Sequence, residues 1–135
     1  MSWPAMANTV RSRFKTQIAD VESLTTQYDN QSLDNPDNEI WCRLTIKSGD
    51  TTQESIGSPS SNRDRTSGMM IAQLFAPIGK GDGELKELAE TIRTAFKRVT
   101  QSGVTFKTPS INEQGIREGM WQINVVCPFY ADDIG

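Results

Sequence analysis

One segment, Gly68–Ala76, restricts the fold of this chain more than any other. In an extended strand, successive side chains point to opposite faces. The two faces of this segment would be Met70, Ala72, Leu74 and Ala76 on one side, and Met69, Ile71, Gln73 and Phe75 on the other. A strand that is apolar on both faces is normally covered on both. We therefore expect a central strand of a sheet, or a strand that lies under a contact between subunits.

Two amphipathic helices are predicted on either side of this strand in the sequence. The first runs from about Thr9 to Thr26, where Asn8 or Thr9 can cap the helix by accepting a free first-turn N–H. The second runs from Glu84 to Thr100 and has an apolar stripe along one side. Its acidic residues come first and its basic residues last, which suits the helix dipole.

The remaining pattern predicts strands. Alternation of apolar and polar residues favours a strand at Glu39–Ile46, a hairpin turn at Ser48–Asp50 and a polar returning edge strand at Thr51–Ile56. Further strands are expected at Val104–Lys107 and Gly119–Tyr130. The element order α-β-β-β-α-β-β predicts an α+β fold, with a mostly antiparallel sheet of about four to five strands and two helices packed on one face.

The length of 135 residues predicts one domain. We expect residues 1–8 to be an N-terminal arm or a cloning remnant, residues 9–131 to form the α+β domain, and residues 132–135 to be an acidic C-terminal tail. The segment Gly57–Ser67 has no aliphatic or aromatic residue. It is therefore predicted to be a mobile loop that becomes ordered on contact with a partner.

Composition excludes several classes of function. A net charge of -3 and a pI of about 4.9 argue against a dedicated DNA- or RNA-binding module. Apolar runs are too short for a membrane span, and the first residues have no basic, then apolar, signal-peptide pattern. Cys42 and Cys127 lie on apolar strand faces and are predicted to be reduced, buried thiols.

The sequence shows no catalytic constellation, since it has no His, and no cofactor or metal site is predicted. The glycine-rich turn Gly79–Gly83 before the second helix is the one feature that favours a small phosphate- or nucleotide-binding enzyme. The additional Gly-Lys-Ser/Thr of the nucleotide signature is missing, and Asp82 and Glu84 would repel phosphate. A flexible strand-to-helix turn is the favoured interpretation.

Candidate interface residues come from three observations, of which the first is the second apolar face of Gly68–Ala76 described above. Trp41 and Trp121 are both interpreted as lying on the second face of the sheet, Trp121 opposite Ile123 and Val125. A large aromatic residue there is either covered by a helix or used in an interface. The arginines of the polar loop, Arg63 and Arg65, are expected to pair with a neighbouring subunit, to approach DNA or to be simply solvated. The full candidate set is Trp41, Arg63, Arg65, Met69, Ile71, Phe75 and Trp121.

Five segments together resemble a known family. They are a basic N-terminal helix, the strand Ile40–Ile46, the run Arg65–Pro77, the turn Gly79–Gly83 and the closing strand Gly119–Tyr130 with its Pro-Phe pair. This combination is similar to the tail terminator, or tail completion, proteins of long-tailed bacteriophages. The resemblance extends over nearly the whole chain, and none of its motifs is catalytic.

The resemblance implies a structural virion protein that forms a ring, expected to be a hexamer. Such a ring caps the head-proximal end of the tail tube, stops tube polymerisation and docks to the head or neck. The implied partners are further copies of the chain, the tail tube protein and a head–tail connector, with DNA passing through the lumen without sequence-specific binding. An acidic wall that repels DNA would suit this role, unless the basic N-terminal helix and loop arginines line the channel. Another head–tail joining protein of the neck is the alternative.

Overall fold

The computed structural model describes residues 2–22, 24–29, 39–53, 63–79, 83–117 and 119–134. Within these ranges, the helices are α1 at Trp3–Phe14, which continues as a π-helical turn at Lys15–Ala19, and α2 at Gly83–Phe96. The strands are β1 at Thr25–Gln27, β2 at Trp41–Gln53, β3 at Arg63–Pro77, β4 at Thr100–Gln101, β5 at Val104–Phe106, β6 at Ser110–Arg117 and β7 at Met120–Ile134.

The described strands form one seven-stranded sheet in the order β1-β2-β3-β7-β5-β4, with β6 also paired to β7. β1 and β2 are parallel, and the other pairs are antiparallel. The α+β class is confirmed. The prediction of four to five strands was too low, because the short β1 and β4 and the polar β6 have little apolar alternation.

Strand β3 is central, as its two apolar faces predicted. It pairs with β2 from Asp64 to Phe75, and with β7 from Arg63↔Ile134 to Pro77↔Met120. Its even-numbered side chains lie under both helices in one hydrophobic core. That core is built from Cys42, Leu44, Met70, Ala72, Leu74, Ile123, Val125, Cys127 and Phe129 of the sheet, with Met6, Val10, Phe14, Ile18, Leu85, Ala89, Ile92 and Phe96 of the helices.

The first helix begins earlier than predicted. Ser2 caps it by accepting a hydrogen bond from the Ala5 N–H at 3.3 Å, and Pro4 lies in the first turn, where its missing N–H costs nothing. Met6 is fully buried. The predicted arm at residues 1–8 is therefore wrong for residues 3–8, which form the first turns of α1. At the other end, residues 25–27 form β1 and are not helical.

The predicted hairpin at Ser48–Asp50 is also wrong. β2 continues through it to Gln53, with a bulge between Ser48 and Thr51 where its register with β3 shifts. Residues 54–56 of the predicted returning strand lie outside the described residues. The bulge holds the extra residues within one strand, so the turn-forming sequence does not reverse the chain.

Two predicted flexible segments are extended strand. Residues 63–67 of the predicted polar loop begin β3, whereas residues 57–62 lie outside the described residues. The predicted acidic tail is wrong from Asp132 to Ile134, because these residues continue β7 and pair with the start of β3. Hydrogen bonding between the two strands orders both polar segments, although neither has an apolar face of its own.

The second helix ends at Phe96, four residues earlier than predicted. Arg98 adopts a left-handed conformation with φ of 52°, which cannot continue a helix. Arg13 of α1 donates from Nε to the carbonyl oxygen of Ala95 at 3.1 Å, and from Nη1 to Oε1 of Gln101 at 3.0 Å. A cation at this position satisfies the Ala95 carbonyl in the last turn of α2 and joins the two helices.

We expect Gly68→Ala to destabilise the fold by about 1–3 kcal/mol, because the site has no room for a methyl group. An added Cβ would lie 2.5 Å from Cζ of Phe129 and 3.0 Å from the carbonyl oxygen of Lys47. The Phe129 ring cannot move easily, since it stacks on Trp3 and contacts Phe106. Urea unfolding measures the loss. Gly83→Ala is the matched control, since nothing lies within 4 Å of its Cβ position, and equal stability of the two variants would contradict the prediction.

Candidate interface on the open face of the sheet

The sheet has one face covered by the helices and one face that no described helix covers; we call the second the open face. Strand register assigns the odd-numbered residues of β3, the even-numbered residues of β7 and, as far as the bulge after Lys47, the odd-numbered residues of β2 to this open face. It has a continuous apolar area near its centre, which we call the open-face patch. The patch consists of Met69, Ile71, Val126, Pro128 and Tyr130.

The patch is accessible. Met69 is 39% exposed, and the other four members are partly buried. Lys47 is paired in register with Met69, and Met69 with Pro128. On the other side of Pro128, the Lys107 N–H donates to the Pro128 carbonyl at 2.9 Å. Lys47 and Lys107 are both exposed, so the patch has a lysine at each end of this row.

A third cation, Arg65, borders the patch beside Tyr130, and its side chain is held in place by two interactions. Arg65 forms a two-point contact with Asp132, from Nε to Oδ1 at 2.8 Å and from Nη2 to Oδ2 at 3.2 Å. Its guanidinium also lies 4.0 Å from the centroid of the Tyr130 ring. Bidentate pairing and cation–π stacking fix the side chain in one geometry. The aromatic edge of the patch is therefore rigid before any partner arrives.

The opposite end of the open face is closed by an aromatic stack. The rings of Trp41 and Phe75 are stacked with centroids 4.4 Å apart, and the two residues are 2% and 4% exposed. The Trp41 Nε1–H donates to Sδ of Met120 at 3.4 Å. The guanidinium of Arg43 lies 5.5 Å from the Trp41 ring centroid and donates from Nε to Oε1 of Gln27 at 3.2 Å. This end stabilises the monomer and offers little surface to a partner.

The structure divides the predicted interface residues into three groups. Met69, Ile71 and Arg65 lie at the open-face patch, and Trp41 and Phe75 lie on the same face but are buried. Arg63 is in β3, and its side chain lies outside the described residues. The placement of Trp121 is wrong, and it is treated separately below.

Trp121 lies on the helix face, in phase with Ile123 and Val125. Residues two apart in a strand share a face, and register pairs Trp121 with Ala76 and Ile116. The indole is partly buried against the hydrophobic core. Its Nε1 atom is buried and has no hydrogen-bond partner in the described part of the chain. Trp121 is therefore a packing residue whose N–H is left unsatisfied.

The residues that sequence reasoning missed are Lys47, Lys107, Val126, Pro128 and Tyr130. Each alternates correctly with its neighbours, so the sequence does indicate which of them share a face within one strand. The missing information was the register between β3 and β7, which juxtaposes Met69 and Pro128 although they lie 59 positions apart in the sequence. Side-chain periodicity within one strand contains no such information.

The described residues offer little for catalysis. No group of three or more potential metal ligands lies together among them. Residues 80–82 of the candidate phosphate turn lie outside the described residues. Cys42 and Cys127 are unpaired and buried, which confirms the prediction for both. Burial raises the pKa of Cys127 to about 12 and also raises that of Cys42, so both remain protonated and poorly nucleophilic near neutral pH.

Comparison with known proteins gives one family and one fold. A family model described as phage tail terminator protein matches residues 5–121 of the chain. Eleven solved chains also match; one of them has a TM-score of 0.63 and 14% sequence identity, and the alignment covers 93% of this chain and 94% of that chain. At this identity the likeness shows the fold alone. No curated protein matches the chain. No helix in the described ranges is long and apolar enough to cross a membrane.

Because the two thiols are buried, we expect a thiol reagent to label native protein slowly and unfolded protein quickly.

The same burial makes the free energy of unfolding depend on pH in the alkaline range. Above an ordinary thiol pKa of about 8.5 the unfolded chain loses protons that the folded chain keeps. The free energy of unfolding should therefore fall as pH rises toward about 12, the raised pKa of Cys127. A Cys42→Ala, Cys127→Ala double variant should show a smaller decline, and an identical decline would contradict the assignment.

We expect Trp121→Phe to be much milder than Trp121→Ala. Alanine removes the packing of a large ring, a loss of about 3 kcal/mol for a core aromatic. Phenylalanine keeps most of the ring and removes the buried N–H that has no acceptor, which is itself unfavourable by about 1–3 kcal/mol. Thermal unfolding with a parallel measurement of oligomeric state tests this. If both variants unfold like the unaltered protein but fail to associate, Trp121 belongs to an interface after all.

Proposed function

We propose, on the premise that this chain belongs to the phage tail terminator family, that it forms a ring on the head-proximal end of the tail tube. The expected ring has six copies, stops tube polymerisation and presents a docking surface to the neck. Family membership makes the chain a structural component of a phage tail. Ring formation, ring size and position are the proposal.

The open-face patch is the observation that supports this proposal. An apolar area on a rigid sheet, bordered by charged residues, is typical of a protein contact and unusual on a protein that works as a monomer. The helices already cover the other face of the same sheet, so the core is complete without the patch. The patch is therefore available for assembly without unfolding any part of the monomer.

Charge supports the proposed relation to DNA. The chain has a net charge of -3, and a ring of such subunits has a negative potential. A negative wall repels the DNA backbone, so DNA would pass through the lumen without sequence-specific binding. The tail tube protein and a head–tail connector are the proposed partners on the two sides of the ring, which places the assembled protein in the virion.

Two linked measurements test the proposal. Native mass spectrometry and negative-stain imaging of the purified protein should show a closed ring. Added to a tube polymerisation reaction, the protein should bind one tube end and stop growth there. A protein that stays monomeric even with tubes present contradicts the ring. Tubes that continue to lengthen, together with binding to a connector protein, would instead favour another neck component.

Met69→Glu should weaken ring formation by about tenfold or more, because it places a charge in the centre of an apolar contact. The monomer should keep its melting temperature, since Met69 is 39% exposed. Val21→Glu is the matched control: Val21 is 68% exposed and lies outside the sheet. Equal ring formation by the two variants, measured by sedimentation over a concentration series, would exclude the open-face patch as the assembly surface.

A further inference from the structure

We propose that the open face of one subunit receives the N-terminal half of α2 from a second copy of this chain, with Lys47 and Lys107 opposite Glu84 and Glu87. This contact rests on the proposed ring and names the two surfaces that join in it. Two observations support this contact: the different charges on the two sides of the sheet, and the apolar centre of the open face.

The open face is cationic in an acidic protein. Its described charged side chains are Arg43, Lys47, Arg65, Lys107 and Asp132. The one carboxylate of this set is already bound to Arg65. The whole chain has 14 basic and 17 acidic side chains. The rest of the subunit is therefore more acidic than the chain as a whole, and complements its own open face.

The start of α2 has a cluster of carboxylates with one base among them, Lys86, which pairs with Glu113 at 3.5 Å. Glu84, Glu87 and Glu90 are exposed and recur every three residues, so they lie near one another on the side of the helix that faces away from the core. Glu90 forms a weak surface pair with Arg93 at 3.4 Å. Exposed carboxylates near a helix N-terminus also interact favourably with the helix dipole.

The apolar centre favours a protein over a nucleic acid as the occupant. Surfaces that bind DNA are polar and strongly basic throughout, whereas the two lysines here border methionine, isoleucine, valine and proline. A protein interface has this arrangement, with an apolar centre and charges at the rim. The exposed glutamates of α2 have the opposite charge to these lysines, and the helix holds them in fixed positions.

The geometry of one subunit favours a second copy over another acidic protein. α2 lies on one side of the sheet and the open face on the other. A contact that joins these two different surfaces is heterologous, and it cannot close into a two-fold dimer. A heterologous contact whose rotation closes forms a ring, which is the assembly proposed above, and one whose rotation does not close forms a filament. The same pair of surfaces thus accounts for both the contact and its symmetry.

Charge reversal with rescue tests the pairing. One variant reverses the open face (Lys47→Glu, Lys107→Glu) and the other reverses the helix (Glu84→Lys, Glu87→Lys). Each alone should associate at least about tenfold more weakly than the unaltered protein, because like charges then face each other. When the two variants are mixed and alternate around a ring, each reversed open face meets a reversed helix and each unaltered open face meets an unaltered helix. Opposite charges then face each other at every contact, so mixed rings should form. The chain with all four changes should also form rings by itself.

Two controls separate charge pairing from damage to the fold. Lys97→Glu makes the same kind of change at an exposed residue just beyond the end of α2, and it should leave association unchanged. Lys47→Gln with Lys107→Gln removes the charges without reversing them, and should make association less sensitive to salt. Melting temperatures of all variants should stay close to that of the unaltered protein.

The outcomes distinguish this contact from the proposed function. If the unaltered protein forms rings and the single-surface variants also do, the contact is wrong while the ring stands. The same holds if both variants fail but neither the mixture nor the fourfold variant recovers. If the open-face variant keeps its ring and loses the tube, the occupant is the tube protein and the contact is overturned. If the unaltered protein forms no ring at all, the proposed function and the contact both fall.

Discussion

The pairing of β3 with both β2 and β7 is the constraint on which the rest of the structure depends. Backbone hydrogen bonds along all of β3 fix which side chains of three strands share a face. A shift of one residue in either pair would move Met70 and Leu74 out of the core and expose them. The same register brings Met69 beside Pro128. The core and the proposed interface are thus two consequences of one alignment.

The interactions around that sheet hold its two ends in different ways. At one end Arg13 donates to the Ala95 carbonyl in the last turn of α2, and the aromatic rings of Phe14, Phe96, Phe106 and Phe129 pack in succession. At the other end the strands extend past the helices and are held by backbone pairing and by the Arg65–Asp132 bridge. The second end has fewer apolar contacts, so we infer that it is the less stable part of the sheet.

Local pattern was sufficient for some features and insufficient for others. The faces of β3, the apolar stripe of α2 and the two buried thiols followed from periodicity alone. The bulge in β2 was missed because Ser-Gly-Asp is also a good turn sequence. The polar strand β6 was missed because its pairing with β7 defines it, and its own composition does not. Arg65 and Asp132 are sixty-seven positions apart, and no local signal joins them.

The position of β7 inside the sheet has a consequence for how a cell makes this protein. β7 is the last of the described strands to be synthesised, yet it lies between β3 and β5. Three of the five members of the open-face patch belong to it. In the assembly that we propose, a nascent chain that still lacks β7 has no complete surface for a neighbour to bind. Translation order would then delay association until the subunit has finished its sheet, and so protect a ribosome-bound chain from premature assembly.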